Sequence, residues 1–262
     1  MRIARLYVRL LSVHLRAMLE YESDFWVMAG ATLLTQAVNL IFLTAIFARV
    51  PTLRGWSYWA VVAMFGLIAL AEGVGSFFFE GTWRIAEAIN QGTLDYLLVR
   101  PYPLVLQLTS SEIGINGLTN IVTGGLMIGA ATVKAGVDWS VGRILLAVVL
   151  LLSAITIKVA INLATNAVSF WLNHPSPLFA MAMHQVGDLA KFPISMYPVG
   201  LKIALGVVIP FAFITTFPVG LLTGSGSATW LGWLTPVVAA YCLAVALAIF
   251  FRGLRRYESA GN

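Results

Sequence analysis

The sequence predicts an all-α membrane protein of about six transmembrane helices. Of its 262 residues, 60% are apolar and only 10% are charged, against roughly 45–50% and about 25% in soluble domains. The apolar residues gather in runs near the ~20 residues that a helical span needs, and this length accommodates about six such runs with short connections. A single membrane domain over 1–262 is the economical organisation, without room for a separate soluble catalytic domain.

The formal charge of +5 does not point to nucleic acid, because the arginines cluster at the two chain ends beside apolar segments, with no aromatic-interleaved basic patch. The single cysteine, Cys242, lies inside an apolar run, which excludes an intrachain disulfide or a thiolate metal site. His14, His174 and His184 show no ligand spacing with carboxylates or cysteine, so no metal site is expected.

Within the first 22 residues, Ile3, Leu6, Leu10, Val13 and Ala17 recur at helical spacing beside a stripe of Arg2, Arg5, Arg9 and Arg16. This is the pattern of a helix lying in the headgroup plane. Glu20, Glu22 and Asp24 then separate the arginines from the first apolar run, unlike a cleavable signal peptide.

Spans are expected at 25–47 and 58–79, joined by a loop with Arg49, Pro51, Arg54 and Gly55; Trp26, Trp56 and Trp59 sit near the span ends. The stretch 80–103, EGTWRIAEAINQGTLDYLLVRPYP, is the most polar internal segment. Gly92 is suited to close a helix beginning near Thr82, Thr93 to cap a second, and Pro101 and Pro103 to stop it. Two short amphipathic helices at the cytoplasmic surface are expected there.

A third span is expected over 105–133 and a fourth over 141–172. Then come a shorter apolar helix at 178–190, a segment at 199–222 interrupted by Pro210 and Pro218, and a last span at 230–251. Cytoplasmic ends put Arg2, Arg5, Arg9, Arg16, Arg84, Arg100, Arg252, Arg255 and Arg256 on one side, against Arg49, Arg54, Lys134 and Arg143 on the other. An even number of crossings follows, so residues 174–226 supply one net crossing. Either 178–192 crosses and 199–222 dips in and returns, or the first is interfacial and the second crosses; Lys191 and Lys202 mildly favour the latter.

Five segments in order, LEYESDFW (19–26), VRPYP (99–103), KFPISMYP (191–198), IPFAFITTFPVGLL (209–222) and GLRRYESAG (253–261), resemble bacterial type-2 ABC exporter permeases. The resemblance covers essentially the whole chain. It implies six spans, an N-terminal interfacial helix over 1–22, a coupling helix within 82–101, and a re-entrant outer element at 199–222, hence a crossing by 178–192. It also implies a second permease subunit, the same chain or a related one, and two nucleotide-binding ATPase subunits docked beneath. The location it implies is the bacterial inner membrane, with both termini cytoplasmic.

No GxxxxGK[ST] phosphate loop is present, so ATP and Mg belong to the partner ATPase and this chain carries no cofactor. The candidate ATPase-coupling residues are Arg84, Glu87, Gly92, Thr93, Leu94, Asp95, Leu98, Arg100 and Pro101, with Asp95 and Arg100 expected to pair with ATPase side chains while Leu94, Leu97 and Leu98 pack. Charges at membrane depth are costly enough to count as functional candidates. Glu72 and Lys158 form a candidate intramembrane pair, Asp188 is a third charge, and Asn162 and Asn166, with Thr165 and Ser169, are candidates for a translocation path or for bonds between helices. The rival function is an ion-coupled transporter or channel using Glu72, Lys158 and Asp188; no inverted repeat supports it. Nor is there a catalytic constellation for a lipid-modifying enzyme.

Overall fold

The computed structural model describes residues 22–258, together with residues 7, 9, 12, 13 and 15. The rest of the expected interfacial helix, including His14 and most of its arginine stripe, lies outside the described residues.

Among these residues, four helical stretches are long and apolar enough to cross a bilayer: Ser23–Phe47, Tyr58–Asn90, Val141–Trp171 and Thr229–Leu254. They contain α1 (Glu22–Phe47), α2 (Tyr58–Phe79), α3 (Ile85–Asn90), which continues α2 through a 3₁₀ turn at Glu80–Arg84, α7 (Val141–Ala167) and α11 (Thr235–Leu254). Ser57 and Ser140 start α2 and α7 with side-chain caps, accepting from the backbone N–H groups of Ala60 and Arg143. Between these stretches lie α4 (Thr93–Leu98), α5 (Leu104–Thr109) and α6 (Ile115–Lys134).

The third span expected over 105–133 is not continuous, because α5 ends at Thr109 and α6 begins at Ile115. Ser110 and Ser111 turn their hydroxyls back onto the carbonyls of Leu106 and Leu108, which offers the backbone an alternative to continuing the helix. The chain here also presses against the end of α2. The Gly114 N–H donates to the Ser76 carbonyl at 2.9 Å, and a Cβ on Gly81 would stand 1.8 Å from the Leu108 oxygen.

α6 is not among the stretches apolar enough to cross, yet it runs antiparallel along α2, with Gly66 against Gly124 and Met127, and Gly73 against Gly117 and Ile121. Gly66 and Gly73, like Gly117 and Gly124, are seven residues apart, two turns of one helix face. With no side chain in the way, the two backbones meet. A Cβ at Gly73 would lie 2.6 Å from the Ile121 nitrogen, and one at Gly124 2.6 Å from the Leu70 nitrogen. Helix pairs in membranes associate through such small residues, since lipid offers no hydrophobic drive. At 20 residues α6 is about 30 Å long, as deep as the bilayer core. α11 packs on α7 and on the 3₁₀ turn Val168–Trp171 that follows it, where Gly253 fits against Phe170 and Trp171, and the rings of Phe170 and Phe250 meet edge to face at 5.6 Å.

Residues 178–223 form α8 (Leu178–Gly187), 3₁₀ turns at Asp188–Lys191 and Ile194–Met196, α9 (Val199–Ile203) running into a π turn at Ala204–Val208, and α10 (Thr216–Thr223). The pieces Val199–Val208 and Phe211–Thr223 are bent by 70° at Pro210. After the bend the chain returns to the level of α8's end: Thr215 donates to the Ala190 carbonyl at 2.5 Å, and Phe211 packs on Gly187. α8 has 10 residues, about 15 Å, and Phe211–Thr223 about 20 Å. Neither piece alone reaches the roughly 30 Å that a crossing requires, while Val199–Val208 and Phe211–Thr223 together are long and apolar enough for one broken span or a re-entrant loop, the two alternatives the sequence leaves for 199–222.

The glycine contact makes a direct prediction. Gly73→Ala is expected to cost about 1–3 kcal/mol by overpacking, read as a lower Tm in detergent, while Gly125→Ala, whose new Cβ meets nothing within 4 Å, leaves Tm near wild type.

Candidate functional site

Two regions hold the candidate residues: a polar chamber at membrane depth and a polar segment at one end of the bundle. Glu72 lies fourteen residues into α2, about 21 Å from its start. Its Oε2 is 2.6 Å from the Lys158 Nζ on α7, and the Lys158 side chain is only 9% exposed. The pair anticipated from sequence therefore meets. His184 on α8 joins it, with Nδ1 3.8 Å from Glu72 and 3.4 Å from Lys158 Nζ; the Trp83 ring holds the imidazole edge to face at 5.7 Å.

These groups open onto a cavity of about 270 Å³ between α1, α2, α6, α7 and α8. Thr32, Thr35, Gln36 and Asn39 of α1 form one wall, Asn116 and Asn120 of α6 another, and the Asp188–Lys191 pair (2.9 Å) lies at its edge. Gln36 donates to Asn120 at 3.2 Å and Ser76 to Asn116 at 2.9 Å. Sequence reasoning missed most of these, although the signal was present: residues 32, 35, 36 and 39 share one face of an apolar helix, and 116 and 120 are one turn apart.

Asn162 and Asn166 do not line the chamber. Asn162 donates to the Thr82 hydroxyl at 2.7 Å, tying α7 to the segment below α2, and the fully buried Asn166 donates back to the Asn162 carbonyl at 2.9 Å. Thr165 likewise donates to its own helix at Ile161, and Ser169 to the Ser176 carbonyl. These side chains serve helix contacts, and the buried Asn166 Oδ1 alone of them has no partner among the described residues.

At the other region, Arg84 forms a fork on Glu112, with contacts of 2.7 and 2.6 Å, and reaches Glu87 at 2.5 Å. Gly92 takes the left-handed conformation, φ 67°, at the junction of α3 and α4. Thr93 does not cap α4 as expected; it is the first helical residue, and its hydroxyl points back to the Ala88 carbonyl. Leu94 is wholly buried, so it packs inside this chain and is not available to a partner. Pro101 follows the end of α4 at Leu98.

What α4 and its exit do present outward is Tyr96, Leu98, Val99 and Tyr102, with Arg100 among them; Val99 is 82% exposed. A cleft of about 540 Å³ beside them is lined by Arg84, Glu87, Tyr96, Arg100 and Glu112. Asp95 faces Tyr257 just beyond α11. Burial and that neighbouring carboxylate raise the Tyr257 pKa above its ordinary value.

The bundle of long apolar helices defines a membrane protein with several candidate spans. The chain belongs to the ABC-2 family of transporter proteins: the model of the ABC-2 family transporter protein matches residues 33–261. It is thus a permease component of an ABC transporter, a membrane part that is not itself catalytic and whose family works with an ATPase subunit. Comparison with curated proteins and with solved structures gives no match.

Removing one member of the buried pair leaves the other uncompensated, which costs about 3–5 kcal/mol, whereas replacing both by apolar residues is often neutral. Lys158→Met is therefore expected to unfold well below wild type, and Glu72→Leu combined with Lys158→Met to recover most of that loss in the same thermal assay.

Proposed function

We propose that the chain forms the substrate translocation path of an ABC exporter and is driven by a separate ATPase docked at α4. The observation that carries this reading is the exposed apolar and aromatic cluster around Val99, with Arg100 in it, on a short helix outside the spans of an ABC-2 family member. A surface-exposed cluster of Tyr, Leu and Val beside an arginine has the composition of an interface core. It lies at the bundle end that also bears Arg84, Arg252, Arg255 and Arg256, opposite Arg49, Arg54, Lys134 and Arg143, which supports a cytoplasmic position with both termini on that side.

In this reading the outward face of α4, Tyr96, Leu98 and Val99, takes the docking role assigned from sequence to Leu94. The Arg84–Glu112–Glu87 network stiffens the base of α2, so that a push on α4 reaches the spans. The Asp95–Tyr257 contact links the same helix to the end of α11. Two such permeases, identical or related, face one another over two ATPases that hold ATP and Mg, in a bacterial inner membrane.

Six crossings are then made by α1, α2, α6, α7, α11 and one composite. α8 climbs from the cytoplasmic side to mid-membrane, residues 192–210 make a re-entrant excursion, and Phe211–Thr223 completes the climb to the level of Trp56, which packs on Gly220. This shared crossing reconciles the bend at Pro210 with the positive-inside count.

Affinity purification of the chain co-expressed with its genomic neighbours is expected to recover a stoichiometric nucleotide-binding ATPase. Transport that runs on an ion gradient without ATP would overturn the reading. Val99→Asp and Arg100→Glu are expected to reduce ATPase co-purification or substrate-stimulated ATPase activity at least tenfold while the protein remains in the membrane; unchanged coupling in both removes α4 as the docking helix.

A further inference from the structure

The chamber around Glu72 contains more hydrogen-bonding capacity than the chain itself uses. Thr32 and Thr35 donate to their own helix at Met28 and Ala31, leaving oxygen lone pairs toward the cavity. Asn116 and Asn120 each use the amide oxygen as an acceptor, so their NH₂ groups remain available. Asn39, half-buried and lining the same space, has no side-chain partner among the described residues. These groups are open to the cavity rather than sealed without partners, polar groups at membrane depth are costly unless something meets them, and an ion pair buried there is weak grounds for stability. Both observations point to an occupant.

The charges restrict what that occupant is. Glu72 is paired directly with Lys158 at 2.6 Å and Asp188 with Lys191 at 2.9 Å, and His184 lies beside the first pair, 3.8 Å from Glu72 and 3.4 Å from the Lys158 Nζ. A ligand of net negative charge is repelled by the carboxylates, and one of net positive charge by the lysines. A zwitterion substitutes for both partners at once: its ammonium takes the Lys158 position at Glu72, its anionic group takes Lys158, and no charge is left unpaired. The cavity, about 270 Å³, is near the lower end of ligand-pocket sizes, roughly 300–1,000 Å³. It suits a small headgroup rather than a large glycan.

We propose that this chamber is a binding site for a zwitterionic headgroup carrying an ammonium and a phosphate or carboxylate, with the Glu72–Lys158 pair opening to receive it and closing when it leaves. The inference rests on the reading of the chain as a permease and names the substrate class of that reading. Asn39 and Thr35 orient the head from α1, and Asn120 from α6.

The test is calorimetric titration of the purified protein in nanodiscs, with empty nanodiscs subtracted, using three short-chain probes: dihexanoyl phosphatidylethanolamine, dihexanoyl phosphatidylglycerol and octyl glucoside. The zwitterion is expected to bind saturably and at least tenfold tighter than either the anionic or the neutral probe. Glu72→Gln is expected to abolish that preference. Asn39→Leu removes a side chain with no partner in the chain, so it is expected to weaken binding several-fold at unchanged Tm. Glycerophosphoethanolamine, the same head without acyl chains, separates a lipid from a free zwitterion: binding only with chains assigns a lipid, and equal binding assigns a soluble zwitterion.

Equal affinity for the three probes, no saturable binding, or binding insensitive to both variants overturns the proposal. ATPase co-purification is read separately, so loss of the headgroup preference with an intact ATPase complex sinks the chamber assignment alone.

Discussion

The approach of α2 and α6, backbone against backbone over Gly66, Gly73, Gly117 and Gly124, sets the geometry of the rest of the bundle. Because these helices touch along their length, the chain leading into α6 must pass within van der Waals distance of Ser76 and Gly81, and the helix breaks between Thr109 and Ile115 to do so. The same pairing fixes where Asn116 and Asn120 stand relative to Glu72. A wider spacing would separate the walls of the chamber and leave these amides facing lipid, where each unsatisfied group costs several kcal/mol.

The polar groups at depth divide into two kinds by what they touch. Asn162, Thr165, Asn166 and Ser169 find partners within the helices and turns around α7, as polar side chains between membrane helices commonly do. Glu72, Lys158 and His184 come from three different helices and meet at a cavity. Only the second kind combines charge, space and spare hydrogen-bonding capacity. The bent segment at Pro210 bears on the same region, because Phe211 packs on Gly187 one residue before Asp188 at the chamber's edge.

At the end of the bundle that carries α4, the fork of Arg84 on Glu112 holds the break between α5 and α6 and ties it to the base of α2. Exposed ion pairs are individually weak, but this one is bidentate and shares its arginine with Glu87. α4 hangs from that base with Leu94 turned inward as its anchor and Val99 outward. A helix anchored on one face and bare on the other suits a mechanical contact between subunits.

The sequence alone determined that the chain crosses a membrane several times, because composition and run length decide whether an apolar segment can be hidden from water. It also placed α1, α2, α7 and α11 to within a few residues, and the punctuation of 80–103 at Gly92 and Pro101, since these depend on residues close together in the chain. The meeting of Glu72 with Lys158 was readable as an expectation, because a charge at membrane depth needs a partner and few exist. Only the tertiary structure decided that His184 joins them, that Leu94 faces inward while Val99 faces out, that α6 starts at Ile115, and that no single helix in 178–223 is long enough to cross. Each of these depends on groups far apart in the chain, and neither hydropathy nor helical periodicity carries information about which faces meet.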